Sequence, residues 1–285
     1  MASSIDRRLF LTSLASAGLT PCSGAAIPRD GSPLSARGMR SAVTKAVTKT
    51  EIYSGMTGGL SVDATTGDVY AVVSQAVMRF SLDGTVKTFP ATNLFLRSVA
   101  FDVVSGGFFA CGLYKIVHVM PDGKITGLPI PSALWNRFDP LSIAWDVPRG
   151  VLYASNSYYP EMNDVYAFDR GFSTYKSIAK MKKPHGIAVD NLTATVYVAD
   201  PRERIATISA DGTRGTFGSG LLGPSWIARD GADLIVADYY GVRRIGPGGP
   251  VAYLDSDISV IGLAYDHVRG ATYISANPGL FKITT

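Results

Sequence analysis

Pro184-His185-Gly186-Ile187-Ala188-Val189-Asp190, followed by Val196-Tyr197-Val198-Ala199-Asp200 and Arg204-Ile205, is the stretch on which the fold turns. Its first half is a short apolar strand closed by a turn-forming aspartate, and its second half is another apolar run of strand length. Together they predict a hairpin. The first half recurs outward in both directions, as Gly59-Leu60-Ser61-Val62-Asp63, Ser98-Val99-Ala100-Phe101-Asp102, Ser142-Ile143-Ala144-Trp145-Asp146, Trp226-Ile227-Ala228-Arg229-Asp230 and Gly262-Leu263-Ala264-Tyr265-Asp266. The six aspartates lie 39, 44, 44, 40 and 36 residues apart, the spacing of a blade of four strands in roughly 40 residues.

Strands A and B of each hairpin are followed by a third run ending in Asp83-Gly84, Asp122-Gly123, Asp211-Gly212 or Pro247-Gly248-Gly249, pairs that supply the positive φ of a tight turn into strand D. The fold class is therefore all-β: a six-bladed β-propeller of four-stranded antiparallel blades. The last copy stops at Leu280-Phe281-Lys282-Ile283-Thr284-Thr285 and has no strand D. Residues 46–53, Ala46-Val47-Thr48-Lys49-Thr50-Glu51-Ile52-Tyr53, resemble a D strand without a blade of their own, and are expected to close the ring by completing the last blade.

Composition agrees. In 285 residues, 46% hydrophobic and 18% charged, there is enough apolar surface for a large core, and 30 Gly with 16 Pro suit many turns. The net charge of +4 is mild and the cations are scattered, which argues against nucleic acid as a partner. Cys22 and Cys111 are too far apart in role to predict an internal disulfide; Cys111 falls in a B strand as a small core residue.

The chain begins Met-Ala-Ser-Ser-Ile-Asp-Arg-Arg-Leu-Phe-Leu-Thr and continues into a short apolar stretch. Arg7, Arg8, Phe10 and Leu11 resemble a twin-arginine signal, and the apolar stretch is too short for a transmembrane segment of about 20 residues. Residues 1–26 are read as a signal peptide, 27–42 as a flexible Ser/Gly/Pro/Arg-rich linker and 43–285 as the propeller. The expected location is periplasmic or secreted. Ser23-Gly24-Ala25 suits ordinary cleavage, while Leu19-Thr20-Pro21-Cys22 resembles a lipoprotein box that makes Cys22 an alternative lipid anchor.

The repeat resembles the NHL type, and the domain from about residue 46 onward resembles the six-bladed group containing gluconolactonase-like and strictosidine-synthase-like proteins. That resemblance is specific for architecture and nearly silent about chemistry, because these folds host lactonases, lyases and non-catalytic binding modules.

Loops leading into the A strands and out of the B strands share the narrow end of a propeller's channel. Five residues before each repeat aspartate stand Gly58, Arg97, Leu141, His185, Ser225 and Ile261; just past each B strand stand Val73, Gly112, Asn156, Asp200, Asp238 and Ala276. The polar members, Arg97, Asn156, His185, Asp200, Ser225 and Asp238, form a candidate ligand-binding funnel. His185 is the candidate catalytic acid or base. The resemblance to gluconolactonase-like enzymes implies a calcium held by oxygen ligands, for which only Asn156, Asp200 and Asp238 stand near suitable columns, so Ca2+ or another divalent cation is the cofactor considered. The structural alternative is that Asp200 and Asp238 bond loop amides, as aspartates after strand B often do.

His118 and His267 belong to other columns, so a three-histidine zinc site is not expected. Arg97, Arg137, Lys182, Lys183, Arg202 and Arg204 fall in loops at the same end, which would attract a carboxylate or phosphate. Trp135, Tyr158, Tyr159, Tyr239 and Tyr240 are candidate aromatic walls. No nucleophile elbow, phosphate-binding glycine loop or dinucleotide fingerprint is present. The function expected is binding of a small molecule or protein partner at the channel mouth by an exported propeller; the alternative is a metal-dependent lactonase or hydrolase acting on a small organic anion or lactone, and a lyase is a third reading.

Overall fold

Each repeat folds as a four-stranded antiparallel sheet, six sheets in all. Blade one comprises β2 (Leu60–Asp63), β3 (Asp68–Val73), β4 (Ala76–Phe80) and β5 (Val86–Phe89). Blade two follows with β6 (Leu96–Asp102), β7 (Gly107–Gly112), β8 (Lys115–Val119) and β9 (Ile125–Gly127). Blade three has β10 (Pro140–Asp146), β11 (Val151–Asn156), β12 (Asp164–Phe168) and β13 (Tyr175–Lys180). Blade four has β14 (Ile187–Val189), β15 (Val196–Ala199), β16 (Ile205–Ile208) and β17 (Arg214–Phe217), and blade five β18 (Trp226–Asp230), β19 (Asp233–Asp238), β20 (Gly241–Gly246) and β21 (Gly249–Asp255). Blade six combines β22 (Gly262–Asp266), β23 (Ala271–Ser275) and β24 (Leu280–Thr284) with the N-terminal β1 (Thr48–Tyr53). The computed structural model describes residues 47–89, 95–130, 132–134, 137–157, 163–169, 171–202, 204–256 and 259–285. The leader, the linker, Cys22, Trp135, Tyr158 and Tyr159 lie outside them.

The ring closes as the missing strand demanded: β1 pairs antiparallel with β24, with Thr48 opposite Thr284 and Glu51 opposite Phe281. Little of β1 is buried, so its attachment rests on the ladder, on Tyr53 against Phe80 (ring centroids 5.5 Å apart), and on Lys49, which pairs with Asp255 at 3.0 Å and lies 4.6 Å over the Phe281 ring.

Local chemistry fixes the turns. Asp83, Asp122 and Asp211 each accept the amide two residues ahead, and Gly84, Gly123 and Gly212 follow at φ near 85–90° (85°, 90° and 86°). The repeat aspartates do the same in the A-to-B hairpins: Asp63 takes the Thr65 amide, Asp102 that of Val104, Asp190 that of Leu192 and Asp266 that of Val268. They are turn formers.

The core lies between blades rather than within one. Six apolar clusters each span one blade boundary: Tyr70, Val72 and Phe89 of blade one meet Val99, Phe108 and Val117 of blade two, and Ala237, Val242 and Leu254 of blade five meet Leu263, Ile274 and Ile283 of blade six. With each buried Val, Leu, Ile or Phe contributing about 1.5–3 kcal/mol, blade-to-blade contact carries the stability of the ring.

The A strands face the axis. Ser61, Ala100, Ala144, Ala188, Ala228 and Ala264, the small third residue of every repeat, line a central cavity of about 250 Å³. Close approach of neighbouring A strands explains glycine at the first repeat position: a Cβ on Gly262 would stand 2.3 Å from the Gly58 carbonyl oxygen, and one on Gly186 would stand 2.8 Å from the Trp226 Cα. The B strands pair outward in register, so Tyr70, Phe109, Tyr153, Tyr197, Ile235 and Tyr273 face Arg79, His118, Ala167, Thr207, Arg244 and Lys282 of the C strands. No helix among the described residues is long and apolar enough to cross a membrane.

Candidate functional site

The loops into the A strands and out of the B strands meet at one end of the ring, and backbone bonds join them from blade to blade. Gly59 N donates to Arg97 O at 2.9 Å, Gly186 N to Ser225 O at 2.8 Å, and Ser155 Oγ to His185 O at 2.5 Å. His185 N and Ser225 N in turn donate to Ala199 O and Ala237 O, the residues just before Asp200 and Asp238. Arg97, Asn156, His185, Asp200, Ser225 and Asp238 therefore lie along one arc from blade two to blade five.

At the blade two–three boundary Arg97 pairs with Asp139 at 3.0 Å. Burial raises the Asp139 carboxyl above the ordinary range, against the pull of the Arg97 guanidinium. Its Oδ2 holds Arg97, while its Oδ1 is buried without a hydrogen-bond partner. Sequence columns missed Asp139. Asp139 stands seven residues before Asp146, two outside the counted column, where blade three carries apolar Leu141; the signal available was Asp139-Pro140, an acid fixed ahead of a proline.

Asn156 is fully buried and organises this corner: its Oδ1 accepts the Asp139 amide at 2.5 Å and its Nδ2 donates to Arg137 O at 3.2 Å. Asp200, also fully buried, does the same in blade four, accepting Lys182 N and Lys183 N on Oδ2 and Arg202 N on Oδ1 at 2.9–3.0 Å (3.0, 2.9 and 2.9 Å). Two buried polar side chains thus fix the backbone of the segments that carry Arg137, Lys182, Lys183 and Arg202, whose side chains face solvent. In blade five Asp238 accepts the Leu222 and Tyr240 amides and an ion pair from Arg243, and the Arg243 guanidinium lies 4.9 Å from the Tyr240 ring. Ser225 Oγ donates to Ala237 O at 3.2 Å.

His185 is the chemically open member of the arc. Its imidazole makes no hydrogen bond to a described residue, and burial, aided by the Lys183 charge and opposed by Asp200, pushes its pKa down to about 4. It is neutral at physiological pH, with a lone pair for a proton or a donor. Tyr239 and Tyr240 stand exposed on the same end of blade five.

These six blades have counterparts. A gluconolactonase from Xanthomonas campestris shares the fold with a TM-score of 0.74 and 18% identity, over 84% of this chain and 89% of that one. A luciferin-regenerating enzyme matches with a TM-score of 0.70 and 14% identity, over 84% and 96%. The calcium-binding protein regucalcin from Agrobacterium tumefaciens matches with a TM-score of 0.67 and 12% identity, over 83% and 93%. At these identities the likeness establishes the fold. No protein-family profile matches the chain, and no curated protein matches it in sequence.

A divalent cation can be tested against the residues themselves. A hard cation takes six or more oxygens with lone pairs to give. Here the Asn156 oxygen accepts an amide, both Asp200 oxygens accept amides, and Asp238 already holds a guanidinium. As arranged, the three do not fit such an ion. Among the described residues no three His, Cys, Asp or Glu side chains gather as metal ligands. Cys111 is fully buried and its thiol is pushed up to about 12 by burial, which removes it as a nucleophile.

Proposed function

We propose that this protein is an exported binding propeller that takes a small organic anion at the channel mouth, between the Arg97–Asp139 pair and the cationic segments of blades three and four. The observation that carries the reading is the use made of Asn156 and Asp200: their polar atoms hold the backbone that presents Arg137, Lys182, Lys183 and Arg202 to solvent. Cations around a channel mouth attract a carboxylate. Export is supported by Arg7 and Arg8 ahead of the short apolar stretch.

A lactonase acting on the same class of compound is the competing reading. It is favoured by the likeness to a gluconolactonase; His185, with its pKa down at about 4, would be only a weak general base at physiological pH. Asp200 would have to release loop amides before it could serve a metal.

Calorimetric titration of the mature protein with gluconate, in low and in physiological salt, separates the two. The binding reading expects saturable binding that weakens with salt and is reduced several-fold by the double change Lys182→Ala and Lys183→Ala. Hydrolysis of glucono-δ-lactone well above the spontaneous rate, dependent on added calcium and lost with His185→Ala, would replace it with the lactonase.

A further inference from the structure

Blade two departs from the ring at the end opposite the mouth. In blades three to six the repeat aspartate pairs with an arginine: Asp146 with Arg149 at 3.2 Å, Asp190 with Arg229 at 2.6 Å, Asp230 with Arg244 at 2.5 Å and Asp266 with Arg269 at 3.1 Å. Asp63 of blade one bonds Thr65 and Thr66, with Arg79 in the facing C-strand column. In blade two that column holds His118 instead. Asp102 is bonded only by neutral donors: the Val104 amide at 3.1 Å, Ser105 Oγ at 2.7 Å and the Trp145 indole Nε1 at 3.1 Å, with His118 Nε2 at 3.3 Å. Burial holds His118 below its ordinary value despite the pull of Asp102. Among the described residues no arginine or lysine pairs with the Asp102 carboxylate.

Asp102 and His118 line a cavity of about 170 Å³ at the blade two–three boundary whose other walls are Val104, Phe109, Trp145, Val147, Gly150 and Phe172. The Phe109 ring stacks on His118 at 4.4 Å and stands 4.9 Å from Trp145 and 5.6 Å from Phe172. Tyrosine, the commonest residue at this B-strand position, is replaced by Phe109, so no hydroxyl enters the space.

We propose that this cavity binds a small quaternary ammonium ion, held by the aromatic walls and the charge of Asp102. The volume is slightly above the roughly 150 Å³ that admits benzene in a protein interior, which suits a head group of tetramethylammonium or choline size. Aromatic faces attract cations through their quadrupole, and most strongly where water is excluded. The choice of a quaternary ion follows from the hydrogen bonds: each Asp102 oxygen already has two donors near it, its full capacity. A primary ammonium or guanidinium would need acceptors the carboxylate cannot give. A quaternary ion needs none, and it supplies a positive charge.

The test is titration of the mature protein with tetramethylammonium chloride, choline, and the neutral choline isostere 3,3-dimethylbutanol, followed by calorimetry and tryptophan fluorescence. Saturable binding of both cations is expected, with choline roughly tenfold tighter than the isostere, the difference one desolvated cation–π site can make. Asp102→Asn should reduce that preference by removing the carboxylate's share of it. Phe172 sits at a φ of 52°, a conformation glycine adopts freely, so Phe172→Gly removes a wall from a chain that still folds and should weaken choline binding several-fold. Equal affinity for choline and its isostere, or choline binding unchanged in Phe172→Gly, overturns the proposal; so does failure of tetramethylammonium to saturate by about 100 mM, weaker than any useful affinity.

Discussion

The indole nitrogen of Trp145, in the A strand of blade three, donates to Asp102 Oδ1 in blade two at 3.1 Å. The residue before the repeat aspartate thereby reaches back to the previous blade. Arg229 does the same to Asp190 at 2.6 Å, and the Tyr265 hydroxyl accepts from the Arg244 that pairs with Asp230. Trp145→Phe keeps an aromatic ring and removes the donor. A hydrogen bond to a charged group contributes about 1.5–3 kcal/mol, and urea unfolding should show a loss of that order.

Asp190 gives an acid-sensitive clamp. Burial opposes its charge, but the Leu192 amide, the Thr193 hydroxyl and Arg229 outweigh it and hold the carboxyl below the usual range. Its stabilisation is complete above the unfolded-state value near about pH 4 and is lost as pH falls through the lower folded value. Asp190→Asn should therefore be less stable than the parent at pH 7, with a shallower loss of stability in acid, measured by denaturation across pH 2–7.

His185 works with the opposite proton balance. Its folded pKa of about 4 lies below the unfolded value near about 6.5, so the unfolded chain takes up the proton first and stability falls as pH drops from 6.5 to 4, then levels. Its imidazole proton resonances should stay flat from pH 8 to 5.5, and His185→Gln should flatten that part of the stability profile. A midpoint near 6.5 in the folded protein would contradict the burial described for this ring.

Removing β1 tests ring closure. A chain starting at residue 47 keeps the β1–β24 ladder; one starting at residue 55 leaves β24 as an open edge. Loss of one ladder and the Tyr53 contact should cost several kcal/mol, lowering the Tm by about 10 °C in a domain of this size. Size-exclusion chromatography should show the shorter chain associating through the bare edge.

Much of the fold was legible because its determinants are local and repeated. The Asp-Gly pairs dictate turns wherever they occur, the small third residue of each repeat is required by the crowded axis, and a last copy without a strand D called for one from elsewhere. Trp226 broke the small-residue rule at the first position, and it is the neighbour against which Gly186 packs. The mouth was legible as a place, since counting columns puts Arg97, Asn156, His185 and Asp200 along one arc. Their roles were not, because whether an Asp200 oxygen meets an ion or the Lys182 and Lys183 amides is decided by the path of a loop. The Asp102–His118 cavity was hidden for another reason: it depends on a cross-strand register within blade two and on two side chains donated by blade three.

Thr48 opposite Thr284 also sets how the ring yields to force. The two strands of this seam run antiparallel with their outer ends adjacent, so tension applied between residues 48 and 284 loads one rung at a time and peels them like a zipper. Strands pulled in shear would share the load across every rung. The seam in blade six is thus where the ring gives first under mechanical pull, at low force, while the other five sheets stay intact.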